Sequence, residues 1–161
     1  MALTVIARSS YYLFMAAPRR MLEVVGAARG IDHVTITTRD CRAAKRFYEP
    51  ALRPLGFSVV FDWPAGGRAY LGLPAEPSSL WIVQRSHPGR ASVSLSAVDR
   101  DAVDAFYAAA LAAGGQTVSP PAHRPEYTAG TYAAEVLDAD GNTLEAICRQ
   151  AEPPVSAERA A

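Results

Sequence analysis

Polar and apolar residues alternate one by one in several short stretches of this chain, and in two longer ones the apolar residues recur every three or four positions. The alternation beginning at His33 sets Val34 and Ile36 against His33, Thr35 and Thr37, the pattern of a strand with one apolar face. Asp40 follows where a helix N-cap belongs, and Ala44, Phe47, Tyr48, Ala51 and Leu52 then form one helical stripe that Gly56 is placed to close. Pro50 lies inside that stripe. A helix-interior proline costs about 3 kcal/mol, so the first helix is expected to bend or end early. FSVVFDW, RAYLGL and SLWIVQR then read as strands.

The same grammar returns later at a constant offset. HVTITTRDCRAAKRFYEPALRPLGFSV from His33 lies without a gap against SVSLSAVDRDAVDAFYAAALAAGGQTV from Ser92, pairing Val34 with Val93, Asp40 with Asp99, Phe47 with Phe106, Tyr48 with Tyr107 and Gly56 with Gly115. The strands of the second copy read as a shorter QTVS, then TYAAEVL and TLEAICR, the last two joined by a turn at Asp140-Gly141. SSLWIVQR lies on NTLEAICR, which places Trp81 opposite Glu145. The repeat predicts an α+β protein of two tandem β-α-β-β-β modules over 30–90 and 91–150, with an N-terminal extension over 1–29 and a flexible tail over 151–161.

Composition narrows the function classes. In 161 residues, half are apolar and the formal net charge is zero, so no basic footprint argues for nucleic acid or an anionic membrane surface. Arg8 interrupts the apolar tint of the first residues, which fits neither a signal peptide nor a membrane span. Cys41 and Cys148 lack metal or redox spacing and read as core residues of a cytoplasmic protein. Gly-rich phosphate loops, H-E-x-x-H, nucleophile elbows and paired C-x-x-C motifs are absent.

Candidate chemistry sits on the second face of the strands. His33, Thr35 and Thr37, with Ser92, Ser94, Ser96, Thr143 and Glu145, are too polar for a sheet core and lack the lysines of a freely solvated face. Such a surface suits a partly wet cavity for a small molecule. Glu145 is a carboxylate within an apolar run and needs a donor, a cation or water. PPAHRPEYTAGTY reads as a loop over the cavity mouth, offering His123, Arg124, Glu126, Tyr127 and Tyr132 as contacts, with Arg124 suited to an anionic group.

IDHVTITTRDCRAAKRFYEPALRPLGF and YTAGTYAAEVLDADGNTLEAIC resemble the opening strand and helix, and the closing hairpin, of the glyoxalase, bleomycin-resistance protein and extradiol dioxygenase superfamily, the vicinal oxygen chelate proteins. The resemblance spans Ile31 to Cys148 and implies modules whose mixed sheets curl around a central cavity, in a cytoplasmic homodimer. Metal-using members take ligands from the first and last strand of each module, and those positions here are His33, Trp81, Ser92 and Glu145. Imidazole and carboxylate suit one Zn, Fe, Mn or Ni ion. Trp81 cannot ligate, and Ser92 stands where a stronger ligand is needed.

Two readings follow. In one, the protein is a lyase, isomerase or dioxygenase-like enzyme with a reduced ligand set, in which His33 and Glu145 hold the metal and carry catalysis, with His123 or Tyr132 near the substrate. In the other it is a metal-free sequestering protein like the bleomycin-resistance members, with no cofactor. There Trp81, Ser92, His123, Arg124, Tyr127 and Tyr132 contact the ligand, and the His33–Glu145 pair grips it or does acid–base work. Neither reading calls for a nucleic acid or a membrane.

Overall fold

A computed structural model describes residues 31–74 and 79–149; the expected N-terminal extension (1–29) and tail (151–161) lie outside the described residues. The first module comprises β1 (His33–Thr38), α1 (Cys41–Leu52), β2 (Ser58–Trp63), β3 (Arg68–Gly72) and β4 (Ser79–Gln84). The second comprises β5 (Ser92–Ser96), α2 (Arg100–Ala112), β6 (Gln116–His123), β7 (Thr131–Leu137) and β8 (Thr143–Arg149). The strands form two four-stranded mixed sheets, ordered β1-β4-β3-β2 and β5-β8-β7-β6. In each, the first strand runs parallel to the last and the remaining pairs are antiparallel.

Local chemistry explains the helix ends. Asp40 accepts hydrogen bonds from the amides of Arg42 and Ala43 at 2.9 and 3.1 Å, and Asp99 accepts one from Ala102 at 2.8 Å. Each carboxylate thereby satisfies amides that no helical carbonyl can reach. α1 includes Pro50 and ends soon after it, at Leu52, where a 3-10 turn over Arg53–Leu55 carries the chain to Gly56 at φ 86°. Pro50 is exposed and falls in the last helical turn, where it removes one hydrogen bond shortly before the helix stops.

The helices cover one face of each sheet and pack against each other. Ile36, Leu71, Leu80 and Ile82 from the first sheet and Val136, Leu144, Ala146 and Cys148 from the second join Phe47, Tyr48, Leu52, Val103 and Phe106 in one buried core. Cys41 and Cys148 are both buried within it. Strand β6 exceeds the expected QTVS and continues through Pro120 and Pro121, with register shifts between Thr117 and Ser119 and between Ser119 and Ala122. It tolerates the prolines because it is an edge strand, where outward amides have no ladder partner to lose.

One buried carboxylate fastens the modules together. Asp138 accepts from the Tyr48 hydroxyl on α1 at 2.7 Å, from the amides of Asp140 and Asn142 at 2.9 and 2.8 Å, and from Asn142 Nδ2 at 2.7 Å. Asn142 Oδ1 in turn accepts from the Ala91 amide at 2.9 Å, while Asp140 takes hydrogen bonds from Thr38 and the Arg39 amide. The turn closes at Gly141, whose φ of 84° favours glycine. Burial, reinforced by the Asp138 charge, pushes the Tyr48 hydroxyl far above the ordinary tyrosine range, so it remains a donor. Tyr48→Phe should lower unfolding free energy by about 1.5–3 kcal/mol, the worth of a hydrogen bond to a charged group, as measured by urea denaturation. A loss below about 0.5 kcal/mol would contradict this role.

Candidate functional site

The faces turned away from the helices carry two rows of side chains in matching registers. In the first sheet Thr35 pairs with Trp81, Trp81 with Tyr70 and Tyr70 with Phe61. In the second, Ser94 pairs with Glu145, Glu145 with Glu135 and Glu135 with Ser119. The duplicated frame therefore presents the same four positions twice, filled once by a hydroxyl and three aromatics and once by two hydroxyls and two acids.

The first row is a surface of rings. Tyr70 and Trp81 have centroids 5.3 Å apart with planes inclined by 32°, and the imidazole of His33 lies 6.0 Å from Trp81. Phe61 and Trp63 extend the surface along β2 and are 47% and 50% exposed. Aromatic faces of this size offer stacking area at low entropic cost.

The second row answers why Glu145 interrupts the apolar run of β8. Its neighbours Leu144 and Ala146 point into the core, and Glu145 points the other way yet is only 7% exposed. Ser94 donates a hydrogen bond to Glu145 Oε2. The β6–β7 connection covers it, leaving a cavity of about 130 Å³ bounded by Ser119, Arg124, Tyr127, Glu135 and Glu145. Arg124 donates through Nη2 to Ser119 Oγ and, at 3.4 Å, to the Pro120 carbonyl. The charge of Glu145, then partial burial and a hydrogen bond to the same carboxylate, raise the Tyr127 hydroxyl above the usual tyrosine value.

Other expected contacts lie elsewhere. Tyr132 pairs with Cys148 on the helix side, donates to Asp104 of α2 at 2.9 Å and has the Arg100 guanidinium 5.7 Å from its ring centre. His123 pairs with Tyr132, with ring centroids 5.4 Å apart. Both were expected over the cavity mouth; strand alternation sends them to the face opposite Glu135 and Glu145. Ser92 is exposed at the start of β5, opposite Thr143. Sequence reasoning missed Glu135, although its position in the alternation of TYAAEVL marked it as facing away from the core. A second cavity of about 420 Å³ opens on the helix side between Arg39, Ala43, Phe47, Ala113 and Asp140.

The sequence profile of the Glyoxalase/Bleomycin resistance protein/Dioxygenase superfamily matches residues 30–146. The chain belongs to this superfamily. A glyoxalase/bleomycin resistance protein from Albidiferax ferrireducens has a similar structure at 28% identity and a TM-score of 0.65, covering 74% of this chain and 98% of its own. Lactoylglutathione lyase from Agrobacterium tumefaciens is similar at 18% identity and a TM-score of 0.57, covering 75% and 94%. TioX from Micromonospora is similar at 20% identity and a TM-score of 0.56, covering 73% and 97%. None of the curated proteins matches the sequence significantly.

Superfamily membership raises the question of a divalent metal, and the donors among the described residues fall short of a usual catalytic ligand set. Among the described residues no group of three or more His, Cys, Asp or Glu side chains is placed to hold a metal ion. His33 and Glu145 stand on different sheets, beside Trp81 and beside Ser94 and Glu135 respectively. Catalytic metal sites ordinarily supply three protein ligands.

Glu145→Gln should lower the titration of Tyr127 toward the ordinary phenol value, because the carboxylate charge that disfavours the phenolate is gone. Ultraviolet titration checks this, with Tyr127→Phe identifying the transition. An unchanged midpoint would contradict the contact.

Proposed function

We propose that this superfamily member binds and sequesters a small organic molecule with a planar ring system, without a resident metal, on the faces turned away from the helices. The observation that carries the reading is the row Phe61–Tyr70–Trp81 with His33 at its end. It fills, with rings, one of the positions from which metal-using members would draw a ligand. Trp81 and Tyr70 stack against the ligand, and Arg124, Tyr127, Ser92 and Glu145 contribute polar contacts. The two modules, 30–90 and 91–150, each supply one face. In the same reading the protein is a cytoplasmic homodimer, in keeping with the exposed Phe61 and Trp63 and the two buried thiols. No helix among the described residues is long and apolar enough to cross a membrane.

A second reading, a lyase, isomerase or dioxygenase-like enzyme using one Zn, Fe, Mn or Ni ion, is favoured by the occurrence of His33 and Glu145 at two of the four ligand positions that the resemblance implies. Measuring metal in protein purified without chelator separates the two. Sequestration predicts substoichiometric metal that His33→Ala and Glu145→Gln leave unchanged; near-stoichiometric metal lost in both variants would overturn it. Calorimetry with naphthylmethanol adds a direct assay. Trp81→Ala should weaken binding by roughly threefold to tenfold, in line with about 0.5–1.5 kcal/mol for one aromatic contact.

A further inference from the structure

Glu145 and Asp138 are buried to the same extent, 7% and 6% exposed, but by different means. Asp138 is enclosed by packed structure and four hydrogen bonds. Glu145 lies under the β6–β7 connection, in which residues 125–129 are all exposed. A segment whose own side chains stay in water gains little by lying against the sheet. It is instead closed on itself. The Arg124 amide donates to the Thr131 carbonyl at 2.9 Å, the Tyr127 amide to the Arg124 carbonyl at 3.1 Å and the Thr131 amide to the Thr128 carbonyl at 3.1 Å, while the Thr128 and Thr131 hydroxyls lie 2.7 Å apart. A loop tied in this way can turn about its ends and keep its own bonds, and Gly130, at φ 81°, supplies a permissive end.

Arg124 anchors the loop to its own strand, through Ser119 and the Pro120 carbonyl on β6. The reach across to β8 is made by Tyr127, whose hydroxyl hydrogen bonds to Glu145. The cavity beneath is about 130 Å³, room for about four waters and well below the ~300 Å³ at which ligand pockets begin. A planar organic molecule therefore contacts Glu145 only after Tyr127 has moved. Closure also withdraws Glu145 from water directly opposite Glu135, a cost that the Tyr127 and Ser94 hydroxyls offset. Ser94 lies on the sheet itself and keeps its bond in either state, so Tyr127 decides the balance. We propose that residues 124–130 form a strap that lifts about Arg124 and Gly130, with Tyr127 as the latch that closes it over Glu145. Such a strap adds an access step to the sequestration reading, on which it rests only for its use; its motion is measured without ligand.

Carbodiimide-driven amidation of carboxyl groups in the full-length protein, mapped by mass spectrometry, tests the strap against an internal standard. When opening and closing are fast, the rate of modification follows the open population. Glu145 should react at least about tenfold faster than Asp138 in spite of equal burial, because local opening is far more frequent than global unfolding. Tyr127→Phe should raise the Glu145 rate severalfold, the factor expected for one hydrogen bond, and leave the Asp138 rate unchanged, which also shows the variant to be folded. NMR relaxation dispersion separates opening from a change in the reactivity of Glu145 itself: microsecond-to-millisecond exchange should be confined to residues 124–131, with a larger open population in Tyr127→Phe. Equal rates for Glu145 and Asp138, no exchange in the strap, or rates and populations unmoved by Tyr127→Phe overturn the proposal. Those results leave the ring-binding reading standing; that reading fails separately, if naphthylmethanol does not bind.

Discussion

The carboxylate of Asp138 is the interaction on which the arrangement of the site depends. It is buried and receives the Tyr48 hydroxyl from the first module together with three donors from its own turn. Those bonds fix where β7 ends and β8 begins. In a strand a slip of one residue exchanges the faces of every side chain. With this turn held, Leu144, Ala146 and Cys148 enter the core and Glu145 emerges on the opposite face beside Glu135. Because Asn142 also receives the Ala91 amide, the same turn anchors the approach to β5, and with it Ser94.

On this common frame the two modules separate structural from chemical work. The helix-facing positions are filled alike in both, by Phe47 and Tyr48 or by Phe106 and neighbouring apolar residues, so either half contributes to a single core. The outward positions share a hydroxyl at Thr35 and Ser94 and then diverge, into rings on one sheet and two acids and a serine on the other. An opposed pair of glutamates is locally unfavourable, and Phe61 and Trp63 stay about half exposed. Sequence choices that work against local stability at equivalent places on both sheets agree with the binding surface proposed for these faces.

Much of this was legible in the sequence, for identifiable reasons. The gapless repeat disclosed the module order, and Asp40, Asp99 and Gly56 act as the caps their positions implied. Alternation correctly separated Leu144, Ala146 and Cys148 from Glu145. Pro120-Pro121 misled because a proline is disruptive only where an amide is needed, and that depends on the sheet edge, which the sequence does not display. Reading residues 120–132 as one loop concealed the alternation that puts Tyr132 under Asp104 and His123 beside it. Glu135 went unnoticed because its significance lies in cross-strand register with Glu145, a relation that exists only after the hairpin closes.

The central claim is that ligand occupies the outward row of the first sheet and not the helix-side cavity near Phe47. Two-dimensional NMR of isotope-labelled protein titrated with a neutral planar aromatic tests it directly. The account predicts the largest resonance shifts at Thr35, Tyr70 and Trp81, including the indole N–H of Trp81, with Ala43, Phe47 and Ala113 little changed. Largest shifts at Ala43, Phe47 and Ala113, with Trp81 unmoved, would contradict it.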